Sequence, residues 1–176
     1  MDKHELRQSI RARKRAMTAQ QIEEKSKQLQ ELFLNTEAYR NAKTIYGYLP
    51  YNQEVRTAPI LQQALDDGKA VAIAKCYDRE MRFVLVDNLQ CMDPASRIPQ
   101  PLADAPVGQD PTALVLMPGM AFTAQGQRMG YGGGFYDRFL AAEPEHPTVA
   151  LCFDFQMVDQ IPTEEFDIPV DLVLWA

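Results

Sequence analysis

The chain has 176 residues, 46% of them hydrophobic and 24% charged, with a net charge of −6. That length suits one domain burying roughly 70% of its unfolded surface, so neither a metal nor a disulfide is needed to hold a core. The acidic balance argues against a nucleic-acid binder, and no apolar run is long enough to span a bilayer. The N-terminus is charged from Asp2 and Lys3 onward, without the apolar stretch of a secretory signal. Cys76, Cys91 and Cys152 form no C-x-x-C pair and lie far in sequence from His4 and His146. The expectation is a cytoplasmic protein with buried or tolerated thiols and no structural zinc.

In chain order, Leu6, Ile10 and Met17 recur at helical spacing, beside a stripe of Arg7, Arg11 and Lys14. This is a basic amphipathic helix over residues 3–17, holding six of the 18 basic residues. Such a face is either solvated or suited to a local anionic ligand. Thr18 and Gln21 form a capping box for a second helix that runs to about Asn35. A strand at 44–49 is stopped by Pro50, and a helix at 55–67 is closed by Gly68. Strands at 71–74 and 81–86 follow, joined through residues 78–80. A proline-rich irregular loop spans 93–111, with Pro94, Pro99, Pro101, Pro106 and Pro111. A buried parallel strand at 113–117 leads into a glycine-rich segment over 117–138, and a helix then covers about 134–142. Strands at 148–153 and 171–175 complete the pattern. Alternating strands and helices predict a single α/β domain over residues 1–176. Its sheet is open, mostly parallel and Rossmann-like, with helices on both faces and ligands beyond the carboxyl ends of the strands.

Five of the nine glycines, Gly126, Gly130, Gly132, Gly133 and Gly134, fall within nine residues. Either this is a mobile surface loop, or the backbone must approach a ligand and aim its N–H groups at phosphate oxygens. Arg128 adds a forked, permanently charged donor. Asp137, in the first turn of the next helix, is either a partner of the helix dipole or a Mg²⁺ ligand. No Lys-Ser or Lys-Thr follows, so this is not a Walker A loop. Phe135 stands where the third glycine of G-x-G-x-x-G belongs, which excludes the dinucleotide fingerprint.

The string from Pro118-Gly-Met-Ala-Phe122 through Gly126-Gln-Arg-Met-Gly-Tyr-Gly-Gly-Gly-Phe-Tyr-Asp-Arg138 resembles the signature of the 5-formyltetrahydrofolate cyclo-ligase family. Lys3-x-x-x-Arg7, Asn52-Gln53-Glu54-Val55, Ile98-Pro99-Gln100-Pro101 and Ile161-Pro162 with Asp167 are similar to further family segments, so the resemblance spans nearly the whole chain. It implies ATP as co-substrate, Mg²⁺ and a reduced folate. By the same resemblance Lys3, Arg7, Arg128 and the segment Gly130, Gly132, Gly133, Gly134, Phe135, Tyr136 and Asp137 bind the nucleotide. Asp137 and Asp167 are implied metal ligands. Glu54, Tyr136 and Tyr48 are implied to meet the folate, with Arg128, Glu54 and Tyr136 catalytic. Thr123 and Phe166 stand where aspartate and histidine are usual, and Gln100 stands where many bacterial members carry glutamate.

The implied reaction needs no side-chain nucleophile. The formyl oxygen of an amide is a hopeless leaving group until the γ-phosphoryl of ATP is placed on it, after which the neighbouring amine closes the ring and phosphate departs. Phosphoryl transfer relies on positioning and charge, which arginines, Mg²⁺ and backbone amides supply. Bland alternatives stay open at this level. Tyr46, Tyr48 and Tyr51 stack on a pterin or pack a core, and Asp167 between Pro162 and Pro169 is a ligand or a turn residue. Another small-molecule kinase, an enzyme of a related formyl compound and a nucleotide- or RNA-binding module are the competing functions. The favoured expectation is a monomer acting on small molecules, away from nucleic acid and membrane.

Overall fold

The computed structural model describes every residue except Cys91, Pro94, Ala95 and Ala103. The expected thiol at Cys91 and the proline at 94 lie outside the described residues. Helices α1 (Lys3–Arg15), α2 (Ala19–Leu34) and α3 (Glu37–Asn41) precede β1 (Thr44–Gly47), α4 (Ala58–Asp66) and the hairpin β2 (Ala70–Tyr77) and β3 (Glu80–Val86). Then come β4 (Leu114–Met117), the short pair β5 (Ala121–Phe122) and β6 (Arg128–Met129), α5 (Phe135–Ala142), β7 (Thr148–Cys152) and β8 (Leu172–Trp175).

Local chemistry fixes the helix ends. At α2, Thr18 accepts from the Gln21 N–H at 3.1 Å and Gln21 Oε1 accepts from the Thr18 N–H at 2.9 Å, the reciprocal box expected from sequence. Asp2 and Glu5 build the same device at α1. Gly68, at φ +79°, ends α4. The α4 start differs from the expectation by three residues. Pro59 has no N–H to give, so it is tolerated in the first turn and would break a helix begun at Val55. The freed segment is tied down instead, with the Arg56 N–H donating to Ser26 Oγ and the Thr57 hydroxyl to the Tyr48 carbonyl.

Six strands form one sheet in the order β3-β2-β1-β4-β7-β8, parallel throughout except for edge strand β3, which pairs antiparallel with β2. The two-residue period divides its side chains. Ile45, Ile73, Leu114, Leu116 and Val149 face α2, α3 and α4 and pack with Leu29, Phe33 and Ile60. Tyr46, Phe83, Val115, Met117 and Ala150 face α5 and pack with Leu140. Both faces are therefore covered, as expected. Among the described residues no helix is long and apolar enough to cross a membrane.

Two features were not foreseen. The five-residue α3 is too short for periodicity to reveal, and the glycine-rich segment is not continuous loop but contains the antiparallel pair β5–β6. That pair carries a third apolar cluster, in which Leu6 and Ile10 of α1 pack on Ala121, Met129 and Ile161. The basic helix is thereby laid against the glycine-rich segment. The neighbours β1 and β4 mark where the chain reverses its direction of sheet growth, so residues 48–54 and 118–134 leave their carboxyl ends side by side.

Candidate functional site

The segment after β4 turns through β5–β6 and reaches α5 with three glycines in left-handed backbone, Gly126, Gly132 and the α5 cap Gly134, of which the first two differ in purpose. At Gly126 (φ +89°) an added Cβ would lie 2.2 Å from the Val170 carbonyl oxygen, so this glycine serves packing. At Gly132 (φ +112°) it would meet only Arg7 Nη2, at 4.0 Å. That position is an open cradle facing a cation. Among the described residues, the N–H groups of Tyr131, Gly132, Gly133 and Gly134 donate to no protein acceptor. They precede the N-terminus of α5, whose first amides are free of helical bonds by construction.

Cations converge on this cradle. Arg128 is buried on β6; its Nη1 donates to the Pro118 carbonyl at 2.9 Å and its Nη2 lies 3.7 Å from Asp137 Oδ2. Its Nε is buried without a partner. From α1, Arg7 Nε donates to the Gly130 carbonyl at 3.2 Å, and Lys3 Nζ lies 3.3 Å from Asp167 Oδ2 and 3.4 Å from Glu164 Oε1. Asp137 Oδ1 accepts from the Ile168 N–H at 3.1 Å, so the carboxylates at 137 and 167 flank the same arginine. All the residues expected to bind nucleotide or metal are brought to one place. An orphaned guanidinium N–H, a Cβ-free cradle and unpaired amides suit a polyphosphate. Two carboxylates are hard oxygen donors suited to Mg²⁺, although each is now paired with a cation of the chain.

The second half of the site adjoins the first through Tyr131 and Tyr136. Glu54 follows β1; its Oε1 accepts from the Tyr51 N–H at 2.8 Å and its Oε2 from the Tyr131 hydroxyl at 3.0 Å. The Tyr136 ring lies under the Arg128 guanidinium, 5.5 Å from centroid to Cζ. Burial pushes the Glu54 carboxyl above its ordinary range, opposed by the Tyr51 amide, Lys14 and Tyr131. Burial, aided by the charge of Glu54, also raises the phenols of Tyr48, Tyr131 and Tyr136, so all three stay protonated donors at neutral pH. Tyr48 packs in the core on the α2–α4 face of the sheet, with its phenol within the influence of the Glu54 charge, whereas Tyr46 lies apart from this group. Tyr46 is stacked on Phe83 at 4.7 Å, and its hydroxyl accepts from the Asp110 N–H, a core role. The sequence reading gave no role to Tyr131 or Lys14. Lys14 is buried, with Nζ 5.7 Å from the centre of the Tyr131 ring. The sequence pattern sets Lys14 on the basic stripe with Arg7 and Arg11; the structure corrects this, because a residue four positions after Ile10 turns inward with Leu6 and Ile10.

Three departures from the family pattern gain structural explanations or none. The Thr123 hydroxyl accepts from the Gln127 N–H at 3.1 Å and closes the β5–β6 turn, a task that needs an acceptor side chain and is open to aspartate too. Gln100 accepts from the Cys76 N–H and donates to Ser96, tying the proline-rich loop to β2. Phe166 is exposed, and nothing in the structure explains it. Cys152 is buried beside this region with its thiol pushed up to about 12 by burial, which makes it inert. A groove of about 1150 Å³ between β3 and α5 shares only Gly133 and Phe135 with the site. Two of its three arginines are engaged within the protein, Arg138 on the Gly133 and Arg79 carbonyls and Arg82 on Glu80.

The sequence matches the profile of the "5-formyltetrahydrofolate cyclo-ligase family" over residues 1–176. A 5-formyltetrahydrofolate cyclo-ligase of Escherichia coli K12 is 30% identical, the match covering 94% of this chain and 95% of that protein. One of Mus musculus is 28% identical over 98% of this chain and 93% of its own length. Among solved structures, a 5,10-methenyltetrahydrofolate synthetase of Aquifex aeolicus superposes with a TM-score of 0.85 at 24% identity, covering 99% of this chain and 90% of the other. A Mycoplasma pneumoniae 5,10-methenyltetrahydrofolate synthetase gives 0.78 at 21% identity, with 98% of both chains covered. At those identities the superpositions speak to the fold.

Proposed function

Because the chain belongs to the 5-formyltetrahydrofolate cyclo-ligase family, we infer that it closes 5-formyltetrahydrofolate to 5,10-methenyltetrahydrofolate, and we propose that the cluster around Arg128 and Glu54 does so with ATP. The observation that carries the site assignment is the meeting of an unpaired, buried Arg128 Nε with the free amides of residues 131–134. In this reading Lys3, Arg7, Arg128 and the amides around Gly130, Gly132, Gly133, Gly134 and Phe135 bind the triphosphate. Asp137 and Asp167 would hold Mg²⁺, which supplies charge neutralisation between phosphate oxygens. An incoming polyphosphate takes over Lys3 and Arg128 and so releases both carboxylates for the metal.

Glu54, Tyr48 and Tyr136 take the folate. The γ-phosphoryl passes to the formyl oxygen and ADP is left behind. The adjacent ring-closing amine then attacks the formyl carbon, and the carbon–oxygen bond breaks as phosphate leaves with that oxygen. The amine gives up one proton, and a carboxylate whose pKa is raised toward neutrality is suited to accept it. We assign that proton to Glu54. The same reading carries a cytoplasmic monomer acting on small molecules, which light scattering of the purified protein checks at the level of mass.

The test mixes protein, 5-formyltetrahydrofolate, ATP and Mg²⁺ and follows the near-ultraviolet absorbance of the methenyl product. Product that requires both ATP and Mg²⁺ is the expected result. A folded protein that binds ATP yet yields no product contradicts the reading.

A further inference from the structure

Lys14 is the one buried charged residue of α1, and the reaction scheme leaves it without a task. Its neighbours Arg11, Arg13 and Arg15 are exposed, whereas Lys14 is only 7% exposed. At about 100° per residue, Lys14 lies within roughly 20° of the helix face that carries Lys3, and about 16 Å further along the axis. Lys3 and Arg7 therefore serve the glycine cradle, and Lys14 looks into the other half of the site. The same face buries Leu6 and Ile10, so periodicity asks for an apolar residue at this position.

A buried ammonium is costly unless something compensates it. Among the described residues no acceptor bonds Lys14 Nζ, which is not fully enclosed, the one enclosed and unpartnered side-chain nitrogen being Arg128 Nε. Its compensation is the face of the Tyr131 ring and the negative charge of Glu54, and Tyr131 in turn donates its hydroxyl to Glu54. The three side chains come from α1, the glycine-rich segment and the turn after β1, and they interlock at the folate half. A residue that defies the local pattern and pairs with a proposed base has a role beyond packing.

Resting on the reading of the site given above, we propose that Lys14 is a positioning residue for ring closure: its ammonium keeps Glu54 ionised and fixes the Tyr131 ring, so that Glu54 is ready to receive the amine proton. The groups facing this pair are Tyr48 after β1, Arg56 before α4, Tyr131, Tyr136 on α5 and the Cys152 thiol of β7. Burial holds the phenols and the thiol above ordinary values that already exceed neutrality, and Glu54 is the carboxyl of this group. Removing the positive charge of Lys14 makes the Glu54 carboxylate harder to form, which moves an acid limb that depends on it to higher pH.

The experiment compares wild type, Lys14→Met and Lys14→Arg in the methenyl assay across pH. For Lys14→Met the acid limb of kcat/KM for 5-formyltetrahydrofolate should rise by about one pH unit, and kcat/KM should fall about tenfold near neutrality. The KM for ATP should stay within about twofold, and Lys14→Arg should restore the limb, outcomes that a purely structural defect does not produce. An unmoved limb overturns the proposal, as does a defect confined to the KM for ATP. Should Lys14→Met fail to fold, a ¹³C titration of the Glu54 carboxyl in wild type and Lys14→Gln reads the coupling without turnover, and identical midpoints overturn the proposal. A wild type that makes no methenyl product instead defeats the folate reading, and this inference with it.

Discussion

Arg128 is a buried cation with two of its three nitrogens engaged, by the Pro118 carbonyl and by Asp137, and its Nε left over. Its value lies in a fixed fork, which lysine does not reproduce. Arg128→Lys keeps the charge and should still cost turnover about a hundredfold, the scale of one lost charge-stabilising donor; steady-state kinetics on the folded variant checks this. Lys14 and Glu54 give a second residue-scale expectation, in stability. Burial raises the folded pKa of Glu54 above its ordinary value, so its contribution to stability falls as pH rises through that raised value. Burial lowers the folded pKa of Lys14, so stability is regained only as pH rises through that lowered value. Burial thus makes the charged form of each group oppose folding. The double variant Lys14→Met/Glu54→Gln should be inactive yet melt higher than wild type at pH 7, by about 1 kcal/mol. A lower melting temperature would mean that the pair holds the fold together. The residues proposed for the nucleotide were singled out from sequence because their residue types announce their chemistry. Tyr131 and Lys14 were not singled out, because their roles depend on which face of α1 meets which loop.

At the scale of elements, the glycine-rich segment is two devices in one string. Gly126 is demanded by the close approach of Val170, Gly132 by an open left-handed turn facing Arg7. Gly126→Ala has nowhere to put its methyl and should destabilise the fold by about 3 kcal/mol or more. Gly132→Ala meets no obstruction, and its strain of about 1–3 kcal/mol is relieved by surrendering the turn, so ATP binding should weaken while the core stays intact. Thermal melts paired with nucleotide titrations separate the two outcomes, and equal effects on both readouts would contradict the division. From sequence the two glycines look alike, since neither Val170 nor Arg7 is near in the chain. The β5–β6 pair was hidden for a related reason. Strands of two residues show no alternation, and their pairing depends on a turn closed by Thr123. Longer elements with caps, such as α2, were legible nearly to the residue.

For the molecule as a whole, the site exists because sheet order places β1 beside β4 and because the third apolar cluster docks α1 on the hairpin that follows β4. Strand and helix alternation made the α/β class legible. The sheet order and the docking of α1 were not, being products of long-range packing. If ligand binding joins these separate parts, it should stabilise them together. MgATP at about one hundred times its Kd adds about 2.7 kcal/mol to the folded state, which for a chain of this size raises Tm by roughly 5–10 °C. Chelating the metal should remove part of that shift, and a shift indifferent to chelation would take Asp137 and Asp167 out of the metal site. The most direct test of the central claim follows the oxygen. With 5-formyltetrahydrofolate labelled by ¹⁸O at the formyl group, single-turnover reaction with unlabelled ATP should release inorganic phosphate carrying that ¹⁸O, because the formyl oxygen leaves on phosphorus. Label found in water, with unlabelled phosphate beside methenyl product, would show that ATP does not phosphorylate the formyl oxygen and would contradict the mechanism assigned to this site.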